Sequence, residues 1–223
     1  LSPEYTETVV KSGSIHDGVF GFIGNGSKPE DLKNLRVQVG QGKLIWTPGV
    51  NIAVGDTNND GFDDIICGAG ATGGPRVTVY AGTATGVNTT SPLNNFFAYA
   101  PKFNGGVVVT AGQRNSNAGD EVIVAPASNA GYNIRSFDVN GLGSSPRLVD
   151  DFFAFNDFKS RGGLSIAAGN LDQGAGITDL VVGTTNNQFG VILNNEPTGI
   201  PVTNVFNKFS GAIRAGVARN SNG

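Results

Sequence analysis

Oxygen-bearing side chains crowd one short stretch of the sequence, "GDTNNDGFDD" at residues 55–64. Four carboxylates and two amides fall within it, directly after the apolar run 50–54. Carboxylates at this density repel one another, and a bound cation would neutralise the repulsion. Asp56, Asn58 and Asp60 stand at loop positions one, three and five. This alternation aims successive oxygens at a single point.

The residues that follow complete a calcium-type pattern. Gly61 lies where the chain must turn sharply, Phe62 would offer its backbone carbonyl at position seven, and Asp64 its carboxylate at position nine. An EF-hand shares the opening of this loop, but it needs flanking helices and a glutamate at position twelve, where Cys67 stands. A polar turn without an ion is the alternative. The sequence therefore predicts a Ca²⁺ site formed by Asp56, Asn58, Asp60, Phe62 and Asp64.

Two further loops carry weaker versions of the pattern. In "QRNSNAGDE", from Gln113, amides replace most of the carboxylates, and we expect a structural turn there because amide oxygens bind calcium more weakly. The loop "NLDQGAGITD" retains Asn170, Asp172 and Asp179 and is a second candidate calcium site.

The strands that position these loops recur along the chain. Gly55, Gly112 and Gly169 precede the three loops and are spaced 57 residues apart. Each loop joins two apolar strands, and a third apolar strand and a fourth aromatic strand follow; the aromatic strands begin at Asn94, Asp151 and Asn204. Four short antiparallel strands in a repeated unit are typical of a β-propeller blade. A β-sandwich is the alternative, but it has no reason to repeat its loop chemistry.

We predict an all-β fold, a single β-propeller domain of four-stranded antiparallel blades over residues 1–223. The number of blades is about four if strands from both termini close the ring; a fragment of a larger propeller is the alternative. Because the chain lacks methionine, we expect a processed or excised N-terminus. The expected blades are residues 1–48 (completed by 210–223), 49–104, 105–160 and 161–209.

Composition argues against several functions. The net charge of −3 and the lack of a Lys/Arg cluster argue against nucleic-acid binding, and no apolar run of about 20 residues could span a membrane. His16 is the only histidine and directly precedes Asp17, so a Ser-His-Asp triad is not expected, and we predict a protein that is not an enzyme. Sequons at Asn25 and Asn88 would accept N-glycans in a eukaryotic secretory route.

The pattern of strand, "GDTNNDGFDDI", strand, together with "GAGATGGPRVTVY" and "FFAYAPKFNGGVVVTAG", resembles the FG-GAP/VCBS repeats of integrin-α-type β-propellers. The version here is similar to the one found in secreted bacterial proteins. The resemblance covers roughly residues 35–223 and is best from Gly49 to Tyr99. It implies calcium binding by the Asp/Asn loop and an extracellular or cell-surface location.

The resemblance also implies a scaffold for adhesion, binding or surface assembly, whose partner is a protein or a glycan at the cell surface. Two alternatives stay open, a carbohydrate-binding lectin and the non-catalytic propeller of a larger extracellular enzyme. A further hypothesis is a homo-oligomer or filament, in which the N-terminus of the next chain completes the open C-terminal blade.

Overall fold

The described part of the chain is built from short strands rich in β-branched and aromatic residues, which favour a pleated, half-buried surface. In a computed structural model, the described residues are 49–140, 145–155, 161–171, 176–185, 188–193, 200–203 and 215–216, and they contain no helix. The strands are β1 (Val50–Gly55), β2 (Asp64–Ala69), β3 (Arg76–Tyr80), β4 (Gly82–Thr83), β5 (Gly86–Val87), β6 (Asn94–Phe97), β7 (Val107–Gly112), β8 (Glu121–Pro126), β9 (Asn133–Asp138), β10 (Arg147–Phe153), β11 (Leu164–Gly169), β12 (Asp179–Thr184), β13 (Gln188–Ile192) and β14 (Ile200–Thr203).

Twelve of these strands form three four-stranded antiparallel sheets. Sheet I has the order β1-β2-β3-β6, sheet II β7-β8-β9-β10 and sheet III β11-β12-β13-β14, while β4 and β5 form a separate hairpin. Each sheet is a meander of the kind that forms a propeller blade. The predicted all-β fold of four-stranded antiparallel blades is confirmed.

The sheets are arranged side by side through their first strands. Strand β1 contacts β7, and β7 in turn contacts β11. The side-chain amide of Asn51 on β1 donates a hydrogen bond to the carbonyl of Val107 on β7, at 2.7 Å. Successive first strands in contact are the expected arrangement around the inside of a propeller.

Sheet II is buried on both faces, because it lies between sheets I and III. Successive side chains along each of its strands point to opposite faces and therefore enter two different cores. All six residues of β8 are buried, which explains the nearly continuous apolar run "EVIVAP". One face packs against sheet I in a core that includes Ile66, Val77, Val79, Val107, Val109, Val122, Val124 and Phe137. The other face packs against sheet III in a core that includes Ile123, Ile134, Tyr132, Leu164, Ile166, Leu180, Val182 and Ile192.

Aromatic residues on and next to the outer strand of sheet I contribute to these cores. The rings of Phe96 and Phe137 lie 4.9 Å apart between sheets I and II. The Tyr99 hydroxyl donates to the carbonyls of Val124 at 3.1 Å and Asn133 at 2.8 Å. A tyrosine that packs its ring and satisfies its hydroxyl in this way joins neighbouring sheets with both apolar and polar contacts.

Two outer strands begin earlier than the sequence predicts. Strand β10 begins at Arg147 rather than Asp151, because its pairing with β9 continues past a register shift between Leu148 and Asp150. Strand β14 comprises Ile200–Thr203, whereas the prediction placed the strand at 204–210, which lies outside the described residues. Among the described residues β14 pairs only with β13, at the edge of sheet III, where the proline of "IPVT" is tolerated.

One apolar face is exposed at the sheet I end of the array. Val50, Ile52 and Val54 of β1 are 46%, 64% and 59% exposed. The equivalent residues of β7, Val107 and Val109, are buried against sheet I. The apolar side chains at these positions of the first strand are therefore buried in sheet II but exposed in sheet I.

The described residues all belong to one compact unit, Pro48–Gly223. The blade predicted from residues 1–48 and 210–223 falls outside the described residues, apart from Ala215 and Gly216. Ala215 donates its backbone N–H to Ser165 Oγ at 2.8 Å. Ring closure and the number of blades stay predictions. Where the chain is described, it holds no helix long and apolar enough to span a membrane.

Candidate functional site

The acidic loop joins the first two strands of sheet I. Strands β1 and β2 are antiparallel, and their last pair is Gly55 with Asp64. Residues 56–63 therefore leave and re-enter the sheet at adjacent positions, which holds the ends of the loop together. Gly61 has a φ of +89°, a conformation that glycine adopts without strain, and the sharp turn predicted there is confirmed.

Three of the predicted ligand residues share one hydrogen-bond network within this loop. The Asp56 carboxylate accepts the N–H groups of Asp60 at 3.0 Å and Gly61 at 2.9 Å. The Asn58 side-chain oxygen also accepts the N–H of Asp60, at 2.9 Å, and Asp60 Oδ1 accepts the N–H of Phe62, at 2.9 Å. These bonds fix the side chains in one turn, and each oxygen retains a second lone pair.

Phe62 and Asp63 lie at the exposed end of the loop. The Phe62 side chain is 42% exposed, so burial does not explain an aromatic residue here. Asp63 is exposed as well. The role of the Phe62 carbonyl as a calcium ligand stays a prediction.

Asp64 lies deeper than the other predicted ligands, and its carboxylate is fully buried. One oxygen accepts both the N–H and the hydroxyl of Thr57, and the other accepts the N–H of Gly82 at 2.9 Å. The carboxylate therefore connects the start of the loop to the start of β4. Its additional role as a calcium ligand stays a prediction.

The contact between a loop N–H and a buried acid repeats in all three sheets. Glu121 accepts the N–H of Arg114 at 2.6 Å, and Asp179 accepts the N–H of Leu171 at 2.8 Å. The donors Thr57, Arg114 and Leu171 each stand two residues after the glycine that ends the first strand. We call this contact the loop clasp. Sequence reasoning treated the acids as metal-ligand positions and missed the clasp, although the 57-residue spacing of the donors was visible.

The clasp in sheet II places a carboxyl group in a poorly solvated position. Burial raises the pKa of Glu121, and hydrogen bonds from Arg114 and Asn115 oppose that rise. No carboxylate other than Glu121 stands at a predicted ligand position of this loop, where Gln113, Asn115 and Asn117 replace the others. The structural turn predicted for this loop agrees with the contacts of these residues.

Arg114 supplies a positive charge inside the array that sequence reasoning missed. Its side chain is fully buried. Nε donates to Asp150 at 3.1 Å, Nη1 donates to the carbonyl of Thr178 at 2.7 Å, and the guanidinium lies 6.0 Å from the Phe152 ring centre. Because Asp150 belongs to sheet II and Thr178 precedes β12, Arg114 connects sheets II and III. In the sequence, the only indication of this role was a single arginine in the polar second loop.

Backbone hydrogen bonds link each loop to the next one. Asp120 donates its N–H to the carbonyl of Asp56 at 2.8 Å, and Thr178 donates its N–H to the carbonyl of Gln113 at 2.7 Å. Asp56 and Gln113 occupy equivalent positions after their first strands. The acidic loop of sheet I is therefore in direct contact with the second loop, and the second loop with the third.

Glycine permits this close approach between sheets. A side-chain carbon at Gly112 would lie within 2.8 Å of the Thr178 side chain, closer than real contacts. A side-chain carbon at Gly55 would overlap Ala111 and lie 2.8 Å from Asp120 Oδ2. The repeated glycine before each loop is thus explained, at least in these two copies, by contact with the following sheet.

The remaining predicted sites are dispersed. In the third loop Asn170 is exposed and Asp179 is buried in the clasp, while Asp172 lies outside the described residues. Asn88 is exposed, and its side-chain oxygen accepts the N–H of Thr90 at 3.1 Å; Asn25 lies outside the described residues. Calcium at the third loop and glycosylation at either sequon stay predictions.

A calcium ion at the loop of sheet I would need a mixed set of oxygens. Among the described residues, no three His, Cys, Asp or Glu side chains are grouped so that they could hold a metal ion. An ion there would thus also require the Asn58 amide oxygen, a backbone carbonyl or water, all of which are ordinary calcium ligands. Asp56, Asn58 and Asp60, fixed in one turn, are the residues best placed to hold it.

Comparison with known proteins agrees with this arrangement. Residues 48–85 match the model of the FG-GAP repeat, and this segment contains β1, the acidic loop and β2. The chain is also 31% identical over 107 residues to integrin alpha-6 from Gallus gallus. That alignment covers 44% of this chain and 10% of the relative, so the chain matches about a tenth of the relative's length. We conclude that the chain contains a segment similar to an FG-GAP repeat and is a distant relative of an integrin α chain.

Proposed function

We propose that this chain is an extracellular, calcium-stabilised β-propeller module for adhesion or binding. The observation that carries the proposal is the acidic loop: Asp56, Asn58 and Asp60 are fixed in one turn inside the segment that matches the FG-GAP repeat. The similarity to an integrin α chain supports a surface or secreted location and a protein or glycan partner. Secretion of this chain would agree with the resemblance of its repeats to those of secreted bacterial proteins.

The ion would act on the structure rather than on a reaction. When bound, calcium supplies positive charge that offsets the repulsion among the carboxylates of the loop. Ordering Asp56 would also order its carbonyl, which accepts the N–H of Asp120 from the second loop. We therefore expect calcium to stiffen the contact between sheets I and II.

A non-catalytic role is part of the proposal. The buried carboxylates of Asp64, Glu121 and Asp179 accept backbone N–H groups of their own loops. Groups engaged in this way are explained by the structure of the blades without a reaction. The same holds for the buried Arg114 and its partner Asp150.

Calcium is expected to raise the melting temperature of the full chain. At a free concentration about 30 times the dissociation constant, binding to the folded state alone should add about 2 kcal/mol to the free energy of unfolding. Calorimetric unfolding in calcium, in magnesium and in chelator measures this effect. Asp60→Asn should reduce the calcium-dependent part, because the substitution removes one charged ligand.

Asp63→Asn is the matched control, since Asp63 is an exposed aspartate of the same loop outside the predicted ligand set. It should unfold like the wild type in both calcium and chelator. Equal melting temperatures of the wild type with and without calcium would overturn the proposed ion. If calcium raised the melting temperature of the Asp60→Asn variant as much as that of the wild type, the ion would have to bind at another loop.

A second candidate role, self-assembly, has one observation in its favour. The apolar face of Val50, Ile52 and Val54 is exposed, although its equivalent in sheet II is an inter-sheet contact. The blade predicted from residues 1–48 would cover this face within one chain. In self-assembly a second copy of the chain would cover it instead, with the opposite face of its sheet III, where Val181 and Val191 are half-buried. This head-to-tail contact continues the stacking of sheets I to III and produces a filament or a closed ring.

Ile52→Asp is expected to abolish such assembly without unfolding the monomer. Ile52 is 64% exposed, so an aspartate there would be solvated in the monomer but desolvated in the stack. Light scattering across a range of protein concentrations measures the molar mass. Val87→Asp, a change at an exposed valine of the β4–β5 hairpin, is the control. A wild type that stays monomeric at every concentration would contradict this role.

A further inference from the structure

The connection between the third and fourth strands of sheet I contains a small hairpin of its own. Residues 81–93 join β3 to β6 and form a longer connection than the one between β9 and β10. Within it β4 and β5 pair, Gly82 with Val87 and Thr83 with Gly86. Thr83 Oγ1 also donates to the Gly86 carbonyl at 2.7 Å, so the hairpin fixes its own turn.

The apolar core holds only the base of this connection. Leu93 is 5% exposed and donates its N–H to the Val79 carbonyl at 2.8 Å, and Ala81 packs at the edge of the core. Residues 83–91 are all exposed, so no core covers the hairpin itself. A two-stranded hairpin alone in water is at best marginally stable. The order of this hairpin therefore depends on contacts at its first residue, Gly82.

The acidic loop makes those contacts. Asp64 Oδ1 accepts the N–H of Gly82 at 2.9 Å, in a buried position. A side-chain carbon at Gly82 would overlap the Asp63 carbonyl oxygen and lie 3.4 Å from Phe62 Cβ, so the two backbones are in direct contact. Three consecutive residues at the end of the loop thus hold the start of β4.

The same end of the loop carries two of the predicted calcium ligands, the Phe62 carbonyl and the Asp64 carboxylate. The arrangement of the loop before them depends on Asp56, whose carboxylate accepts the N–H groups of Asp60 and Gly61. A change in the order of the loop would therefore reach the groups against which the hairpin is packed.

We propose that the acidic loop controls the docking of the β4–β5 hairpin. With calcium bound, the ordered loop holds Gly82 and the hairpin stays docked; without calcium, the hairpin opens more often. This inference rests on the proposed calcium site and adds a regulatory role to it. The ion would control the exposed segment 83–91, a surface that the module offers to a partner.

Such a coupling acts in both directions. If calcium favours the docked hairpin by a certain factor, the docked hairpin favours calcium binding by the same factor, and factors of about fivefold or more are typical. A variant that displaces the hairpin should therefore weaken calcium binding, although every predicted ligand of this site lies in residues 56–64, outside the hairpin.

Hydrogen–deuterium exchange of the full chain measures docking, because amides exchange when a segment opens locally. Residues 81–93 should exchange about fivefold faster in chelator than in calcium. The turn at residues 70–75 follows the opposite end of β2 and is the internal control. Its exchange should be the same in both conditions.

Gly82→Ala should displace the hairpin, because the added carbon overlaps the Asp63 carbonyl oxygen. Exchange of residues 81–93 should become faster in calcium, and calorimetric titration should show calcium binding weakened about fivefold. Gly49→Ala is the matched control, since a carbon added at Gly49 has no atom within 4 Å. It should match the wild type in both measurements.

Asp56→Ala tests the contact between loop and hairpin without the ion. The substitution removes the acceptor of two loop N–H groups, so residues 81–93 should exchange faster than in the wild type even in chelator. Asp63→Ala is the control, because it removes an exposed carboxylate of the same loop and keeps the carbonyl that contacts Gly82. Circular dichroism verifies that each variant retains its sheets.

The outcomes separate this inference from the proposed ion. A wild type that binds calcium but shows equal exchange of residues 81–93 in calcium and in chelator would overturn only the control of the hairpin. Exchange in Asp56→Ala equal to that of the wild type would overturn it as well. If the wild type binds no calcium, the proposed ion and its control of the hairpin both fail, and Asp56→Ala alone decides whether the loop holds the hairpin.

Discussion

Asp64→Ala is expected to lower the free energy of unfolding by about 3–5 kcal/mol, because it leaves buried donors of Thr57 and Gly82 without an acceptor. A buried donor that loses its partner costs about 1–3 kcal/mol, and Asp64 accepts from two backbone N–H groups and one hydroxyl. Asp64→Asn, which retains one oxygen, should cost less. Urea unfolding followed by circular dichroism measures the differences.

Asp63→Ala is the control, because Asp63 is the exposed neighbour of Asp64. Substitutions at such surface positions usually change stability by less than about 0.5 kcal/mol. The measurements are made in chelator as well as in calcium, which separates the clasp from a metal-ligand role. If the effect of Asp64→Ala disappears in chelator, the residue acts through the ion alone, and the loop clasp does not stabilise the sheet.

Arg114→Met is expected to cost about 3–5 kcal/mol, the usual range when one partner of a buried ion pair is removed. The substitution keeps an unbranched side chain of similar length but leaves the Asp150 carboxylate and the Thr178 carbonyl without the guanidinium. Asp150 is only 19% exposed, so solvent can compensate only in part. The loss should be the same in calcium and in chelator, because the positive charge in the second loop is the Arg114 guanidinium and not a bound calcium ion.

Arg147→Met is the matched control for that prediction. Arg147 forms an ion pair with Asp138 at 2.8 Å but is 58% exposed, and exposed pairs contribute about 0–1 kcal/mol. Equal effects of Arg114→Met and Arg147→Met on urea unfolding would show that Arg114 does not stabilise the contact between sheets II and III.

Local pattern was sufficient to predict the acidic loop and the strands that hold it. Asp56, Asn58 and Asp60 are close in sequence, so their alternation and Gly61 largely determine how their oxygens are arranged. The first and second strands of each unit were predictable for the same reason, since a hairpin joins neighbouring segments. Outer strands were less predictable: Arg147 and Ile200 became strand residues through pairing with β9 and β13.

The roles of Asp64 and Arg114 were not predictable from spacing. The acceptor role of Asp64 depends on Gly82, which lies 18 residues away on another strand, and Arg114 depends on Asp150 and Thr178. A pattern of carboxylates indicates where charge is located, but not which donors folding will bring to it. For that reason the sequence predicted Asp64 and Asp179 as metal ligands without predicting the loop N–H that each of them, like Glu121, accepts in the structure.

The sequence by itself determined the all-β class, the repeated four-stranded unit and the position of one calcium-type loop, because each of these depends on interactions between residues near in the chain. The tertiary structure alone decided which faces are buried and that Arg114 joins sheets II and III. Those features depend on the packing of one sheet against the next. Residues more than 50 positions apart are in contact there, as in the hydrogen bond from the Asn51 amide to the Val107 carbonyl, and no local sequence pattern indicates such a contact.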